Sequence, residues 1–154
     1  MCNGLEGNSM SFENIKALLI EGRQGRIEPR EVSSLALAYI GDAIYEIFVR
    51  TMVLSKGNAP VNKLHKQSKE YVNAKAQAEL YYIISEYLTE EEKAVFRRGR
   101  NAKSFTTPKN MDIGDYRHAT GLEALFGYLY LKGNTKRALE LFEIGVEKEG
   151  NNKV

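Results

Sequence analysis

Three carboxylates stand where carboxylates are least expected. Asp42 and Glu46 interrupt the apolar run of residues 35–49, and Glu123 is the one charge in a second apolar run at 119–131. Acids in such surroundings need a counter-charge, because burying an unpaired carboxylate is strongly unfavourable. The four-residue spacing places Asp42 and Glu46 on one helical face, their Cβ atoms about 5 to 6 Å apart. Two mostly apolar helices bearing inward acids point to a site for a hard cation. The chain has a single cysteine, Cys2, and two histidines, His65 and His118. An oxygen-only ligand set of high charge selects Mg²⁺, with Mn²⁺ as the alternative, over zinc. A buried ion pair with an arginine would satisfy Asp42 and Glu46 equally well, and Arg117 or Lys132 could neutralise Glu123. The histidines lie among basic and polar neighbours and read as solvated or hydrogen-bonded groups.

The charge distribution supplies a second kind of chemistry. Net charge is only +2, yet from Lys93 to Met111 there are basic residues and no acids. Arg97, Arg98, Arg100, Asn101, Lys103 and Lys109 are the candidate phosphate contacts, with Ser104, Thr106 and Thr107 as neutral donors. Arginine suits phosphate because its planar fork donates two hydrogen bonds at once. Most charge runs are merely soluble helix ends, and that bland reading competes here. A second basic stretch carries Lys56, Lys63, Lys66, Lys69 and Lys75, whereas the region of Glu140, Glu143, Glu147 and Glu149 is acidic. The tyrosines lie mostly at apolar helical positions, which marks them as core or dimer-interface residues rather than stacking platforms.

Helices must position these groups. Ser11 is expected to cap a short helix from Phe12 to about Gly22, and Ser33 or Ser34 the long helix bearing Asp42 and Glu46, which ends near residues 55–58. On a 3.6-residue period Leu35, Ala38, Asp42, Tyr45, Glu46 and Val49 share a face, while Leu37, Ile40, Ile44, Ile47 and Phe48 cover much of the rest. Such a helix is expected to be central, its acids lining a cleft. Pro60 suits the start of a helix to about Glu70, and Asn73 begins another toward Tyr87. Thr89 and Glu92 form a capping box whose helix ends at basic residues, favourable for the helix dipole. Residues 101–114 read as a loop, with Asp115 capping the Glu123 helix, and a last helix spans Thr135 to about Lys148. No strand alternation and no repeat are seen, so the fold class is all-α.

A chain of 154 residues with 43% hydrophobic content supports one domain with a real core. Residues 1–10 read as a disordered tail, 11–150 as the domain and 151–154 as a second tail. No apolar run reaches the length of a membrane span, and the N-terminus lacks a signal core. A cytoplasmic protein without membrane attachment is expected, and one cysteine permits no internal disulfide.

The residues also carry a family resemblance. Leu37-Ala38-Tyr39-Ile40-Gly41-Asp42-Ala43 and Leu122-Glu123-Ala124-Leu125-Phe126-Gly127 resemble the two acidic signatures of the ribonuclease III catalytic domain. Gly99-Arg100-Asn101-Ala102-Lys103, Thr106-Thr107-Pro108-Lys109-Asn110 and Tyr116-Arg117 are similar to its mini branch, which lacks a separate double-stranded-RNA-binding domain. The match covers roughly residues 30–148. It departs from the general signature at Leu35, Ala38 and Thr120, where acids are usual, leaving Asp42 and Glu123 as the carried-over catalytic and metal-binding acids. Glu46 is outside that signature and is a third ligand only by its spacing.

The resemblance implies a homodimeric, Mg²⁺-dependent endoribonuclease that cuts both strands of structured RNA with 3′ overhangs, its family substrate being precursor 23S ribosomal RNA. The C-terminus is expected to leave no room for an appended binding domain, so dimerisation would extend the basic surface. Two other classes compete: a non-catalytic RNA-binding scaffold that kept the fold while losing acids, and a helical protein-interaction module.

Overall fold

The computed structural model describes residues 12–103 and 109–152. The expectations for Ser11, the 1–10 tail, Ser104, Thr106 and Thr107 fall outside them. Among the described residues all regular structure is helical. Residues 12–20 are helical, with a π-helical stretch over Lys16–Ile20. Then come α1 (Ser34–Ser55), α2 (Val61–Val72), α3 (Ala74–Ile84), α4 (Glu90–Asn101), α5 (Ile113–Leu131) and α6 (Thr135–Asn152), with short 3-10 turns at Pro29–Glu31 and Ser85–Tyr87. No described helix is long and apolar enough to cross a membrane.

Local chemistry sets most helix starts. The Ser33 hydroxyl accepts from the Ala36 amide at 3.3 Å, and Asn73 Oδ1 accepts from the Ala76 amide at 2.8 Å. At α4 the capping box is complete: Thr89 Oγ1 accepts from the Glu92 amide, and Glu92 Oε1 accepts from the Thr89 amide. The cap of α5 corrects the sequence expectation. Asp112 occupies it, accepting from the Asp115 amide at 2.9 Å, so α5 begins before Asp115. Asp115 instead sits in the first turn, where an acid also favours the dipole. The last helix likewise continues past Lys148, through Asn152. Between α5 and α6 the chain turns at Gly133, whose φ of +81° is suited to a residue without a Cβ.

Helix α5 is the axis of the molecule. It packs most extensively on α1, then on α4 and α3, and it also meets α6. Leu122, Ala124, Leu125 and Phe126 are fully buried along it. Tyr45 joins three helices, its ring 5.7 Å from Phe126 and 5.5 Å, edge-on, from Phe142. Its hydroxyl donates to the Tyr71 carbonyl at 2.8 Å, which ties α2 to the same core. On the other flank Tyr81 and Phe96 stack at 3.6 Å, joining α3 to α4. The buried Glu92 accepts from Arg137 through two nitrogens, at 2.9 and 3.0 Å, and so fastens the start of α4 to α6.

Helix α1 is less enclosed than its composition predicts. Leu37, Ala38, Ile44, Tyr45, Val49 and Val53 face the core, but Leu35, Tyr39 and Ile47 are exposed, Tyr39 to 81%. The helix is thus one wall of the domain, and an apolar stripe remains on its outer side. The tyrosines divide in the same way. Tyr45, Tyr128 and Tyr130 are core residues, whereas Tyr39 and Tyr82 lie on the surface.

Candidate metal centre and nucleic-acid face

The crossing of α1 and α5 builds the acidic site, and glycines make the crossing close. A Cβ at Gly41 would lie 2.6 Å from the Glu123 carbonyl carbon, nearer still to its oxygen, and 2.8 Å from the Gly127 nitrogen. A Cβ at Gly127 would likewise overlap the Leu37 carbonyl and stand 2.9 Å from Ile40 Cγ2. Backbone therefore rests on backbone here. Residue 42 follows one of these glycines, and Glu123 is the residue whose peptide group it touches. Side chains 81 positions apart in sequence are brought together as a result.

The electrostatics report that convergence directly. Burial pushes the half-buried Glu123 carboxyl up to about 8, assisted by the charge of Asp42, a hydrogen bond shared with Asp42, and the charge of Glu46. The two carboxyls share that hydrogen bond with no lysine or arginine beside them, and the mutual repulsion of two such groups keeps the proton on Glu123 to a higher pH than usual. Asp42 itself lies at the exposed edge of α1, which corrects the expectation of an inward acid. The exposed outer face of α1 is the reason: the ring of apolar residues around it is incomplete. Tyr45 also feels this cluster. Burial first, then Glu149, Glu123 and Glu46, hold its phenol in the neutral form.

Glu46 is near but differently engaged. Its Oε2 accepts from Arg50 Nε at 2.9 Å, a pair one helical turn long on the open side of α1. Among the described residues no three His, Cys, Asp or Glu side chains gather at one point to hold an ion. The geometry brings Asp42 and Glu123 together as a pair, and Glu46 contributes its field. Of the alternative neutralisers of Glu123, Arg117 is exposed on α5 and Lys132 is engaged elsewhere. Lys132 pairs with Glu91 at 3.2 Å, and that carboxylate also accepts from Tyr128 and Arg30. The Tyr128 hydroxyl first, then Lys132, hold the Glu91 carboxyl down at about 2. His118 is hydrogen-bonded, as its neighbours suggest: Nδ1 meets the Gly114 carbonyl at 2.7 Å and Nε2 the Tyr82 hydroxyl at 3.2 Å.

The basic candidates occupy the end of α4 and the flanks of the segment that follows. Arg97, Arg98 and Asn101 line one open cavity of about 550 Å³ with Ser33, Ser34 and Leu35 of the α1 start. Leu35 and Asp42 are seven residues apart on α1, about 10 Å along its axis and on one face. The basic cavity and the acid pair therefore share a surface. Arg100 behaves otherwise. It is partly buried, with its guanidinium 6.0 Å from the centre of the Phe96 ring and its Nε donating to Asn101 Oδ1 at 3.3 Å. Lys103 and Lys109 are exposed on either side of residues 104–108. Gly99 lets α4 approach α5, since a Cβ there would meet Ala124 Cβ at 2.7 Å. Sequence reasoning missed these close glycine contacts and the Glu46–Arg50 pair. Glycines inside two otherwise apolar helices, and an acid four residues before an arginine, were the available signals.

A helical domain with an acid pair at the crossing of two apolar helices, flanked by arginines, agrees with the family comparison. Residues 35–134 match the Ribonuclease III domain, and the chain belongs to that family. Within it, the chain is similar to bacterial proteins named Mini-ribonuclease 3. It is 47% identical to one from Thermoanaerobacter sp. (strain X514) over 144 residues, 93% of this chain and 97% of that protein. It is 48% identical to one from Enterococcus faecalis, covering 79% and 93% respectively. A crystal structure of a Fusobacterium nucleatum protein superposes with a TM-score of 0.69 at 36% identity, covering 78% of this chain and 96% of that one.

Proposed function

We propose that this protein is a Mg²⁺-dependent endoribonuclease acting on double-stranded regions of structured RNA. The observation that carries the reading is the hydrogen bond shared by the carboxyls of the half-buried Glu123 and the exposed Asp42. Neither is paired with a lysine or arginine among the described residues. This donor set fits a hard divalent cation: oxygen atoms only, excess negative charge, and a proton that a cation would displace. When bound, the ion supplies Lewis-acid activation of water and neutralises charge developing on the phosphate and leaving oxygen. Asp42 and Glu123 hold it, with Mn²⁺ as the alternative occupant. Glu46 adds negative potential and serves as a third, outer ligand. Arg97, Arg98, Arg100, Asn101, Lys103 and Lys109 hold RNA phosphates and fix the register of the duplex over the acids.

The bacterial relatives named Mini-ribonuclease 3 support a ribonuclease activity; precursor 23S ribosomal RNA as the substrate, in a cytoplasmic setting, is what the resemblance to the mini branch implies. The protein acts as a homodimer, which gives one acid pair per RNA strand. The exposed apolar residues of α1, Tyr39 foremost, are consistent with a covered surface in that state. The test is cleavage of double-stranded RNA with Mg²⁺, beside Asp42→Asn and an EDTA control. Loss in both controls supports the enzyme, and intact RNA with retained binding transfers the protein to the scaffold class.

A further inference from the structure

We propose that Arg50 is an RNA phosphate-binding residue, positioned by Glu46, that continues the substrate track from the acid pair toward α2. The inference rests on the nuclease reading above but concerns a residue outside its basic set.

Asp42, Glu46 and Arg50 occur at four-residue intervals on α1 and follow the open side of the helix. Arg50 is 62% exposed in its side chain, and its Nε donates to Glu46 Oε2 at 2.9 Å. Only that nitrogen is used. The two terminal guanidinium nitrogens make no ion pair or hydrogen bond with the described residues, so a fork of donors faces solvent while its base is fixed. An unpaired surface arginine would sample many rotamers and lose that freedom on binding. The Glu46 bond restricts the search beforehand. It also leaves the terminal N–H groups without a partner among the described residues, where a phosphate can accept hydrogen bonds from them.

Location supports the same role. Arg50 lies eight residues beyond Asp42, about 12 Å along the helix axis. That span is a few nucleotide steps along an A-form duplex lying parallel to the helix. Arg50 also borders a groove of about 220 Å³ with His65 and Ser68 of α2. That helix carries Lys63, Lys66 and Lys69 against one acid, Glu70. A duplex lying across the acid pair and reaching α2 would pass the guanidinium.

The experiment measures binding of a double-stranded RNA by metal-free protein in EDTA across a salt titration. Arg50→Ala should bind about three- to tenfold more weakly, and the slope of log K against log salt should become shallower by about 0.7 to 0.9, as expected for one lost phosphate contact. Arg50→Lys should keep the slope while losing affinity, because charge survives and the fork does not. If Glu46 acts through Arg50, the affinity change caused by Glu46→Ala in the parent should differ from that in the Arg50→Ala background, and equal changes in the two backgrounds would remove Glu46 as the positioning residue. An unchanged affinity and slope in Arg50→Ala would overturn the proposal. That outcome is independent of the nuclease reading, which stands or falls on Asp42→Asn in the cleavage assay.

Discussion

Replacing Glu123 by glutamine should stabilise the metal-free protein at alkaline pH and leave it nearly unchanged at pH 5. Glu123 titrates near 8 rather than at its ordinary 4.5, because burial and the Asp42 and Glu46 charges disfavour its anion. Each pH unit of difference corresponds to about 1.4 kcal/mol, so the folded state loses on the order of 4 to 5 kcal/mol when this proton leaves. The sign follows from proton counting. Between about 4.5 and 8 the folded chain holds the proton and the unfolded chain does not, so stability falls as pH rises through that window. Below 4.5 both states are protonated and the contribution is fully present. A glutamine is neutral throughout and can still donate to Asp42. Urea unfolding in EDTA at pH 5, 7 and 9 should show the parent losing several kcal/mol that Glu123→Gln keeps. Added Mg²⁺ should restore the parent at pH 9 by binding the native state, and should restore the variant far less. Parallel pH profiles for the two proteins would refute the assignment of Glu123 to a repulsive carboxyl pair.

Gly41→Ala should cost about 3 kcal/mol or more, because the new methyl lands on the Glu123 peptide group and the helices must part. A denaturation midpoint equal to the parent's would show that the crossing yields freely. Arg137→Ala should cost about 3 to 5 kcal/mol by stranding the buried Glu92, whose side chain is only 6% exposed. Calorimetry would detect this as a large fall in Tm, and a shift of a degree or two would contradict it. Asp112→Ala should cost about 1 kcal/mol through the lost cap of α5, whereas Asp115→Ala should cost less. Equal effects in urea titrations would return the cap to Asp115. Asp42→Asn should abolish Mg²⁺-dependent cleavage of double-stranded RNA while leaving RNA binding in EDTA intact, and residual cleavage near the parent rate would remove Asp42 from the site.

Much of the architecture was legible because helix boundaries are set by nearby residues. Ser33, Asn73 and the Thr89–Glu92 box act within one turn of the chain, so their roles follow from sequence. The cap of α5 was harder, since Asp112 and Asp115 both have suitable chemistry and only the backbone path chooses between them. The pairing of Asp42 with Glu123 could be anticipated from two isolated acids in apolar helices. Its closeness could not, because the Gly41 and Gly127 contacts depend on how two distant helices meet. The open outer face of α1 was misjudged for a related reason. Leu35, Tyr39 and Ile47 have core-like side chains, and composition alone does not distinguish burial within a protomer from burial against something else. Lys132 was a plausible neutraliser of Glu123, but its position one residue beyond α5 directs it to Glu91.

The peptide-on-peptide seat between α1 and α5 works as a caliper with no adjustable jaw. Where helices are spaced by leucine or methionine, a repacked rotamer can widen a gap by fractions of an ångström. At Gly41 and Gly127 no side chain exists to repack. The span between the two acid-bearing backbones is therefore set by the seat itself, and in the proposed metal centre it would limit the ionic radius that the two carboxylates can grip. A larger ion such as Ca²⁺ prefers longer bonds and more ligands than Mg²⁺. In the proposed centre it would be met by bending the Asp42 and Glu123 side chains alone, so redesign of metal preference would begin with those two rotamers and the residues that pack on them.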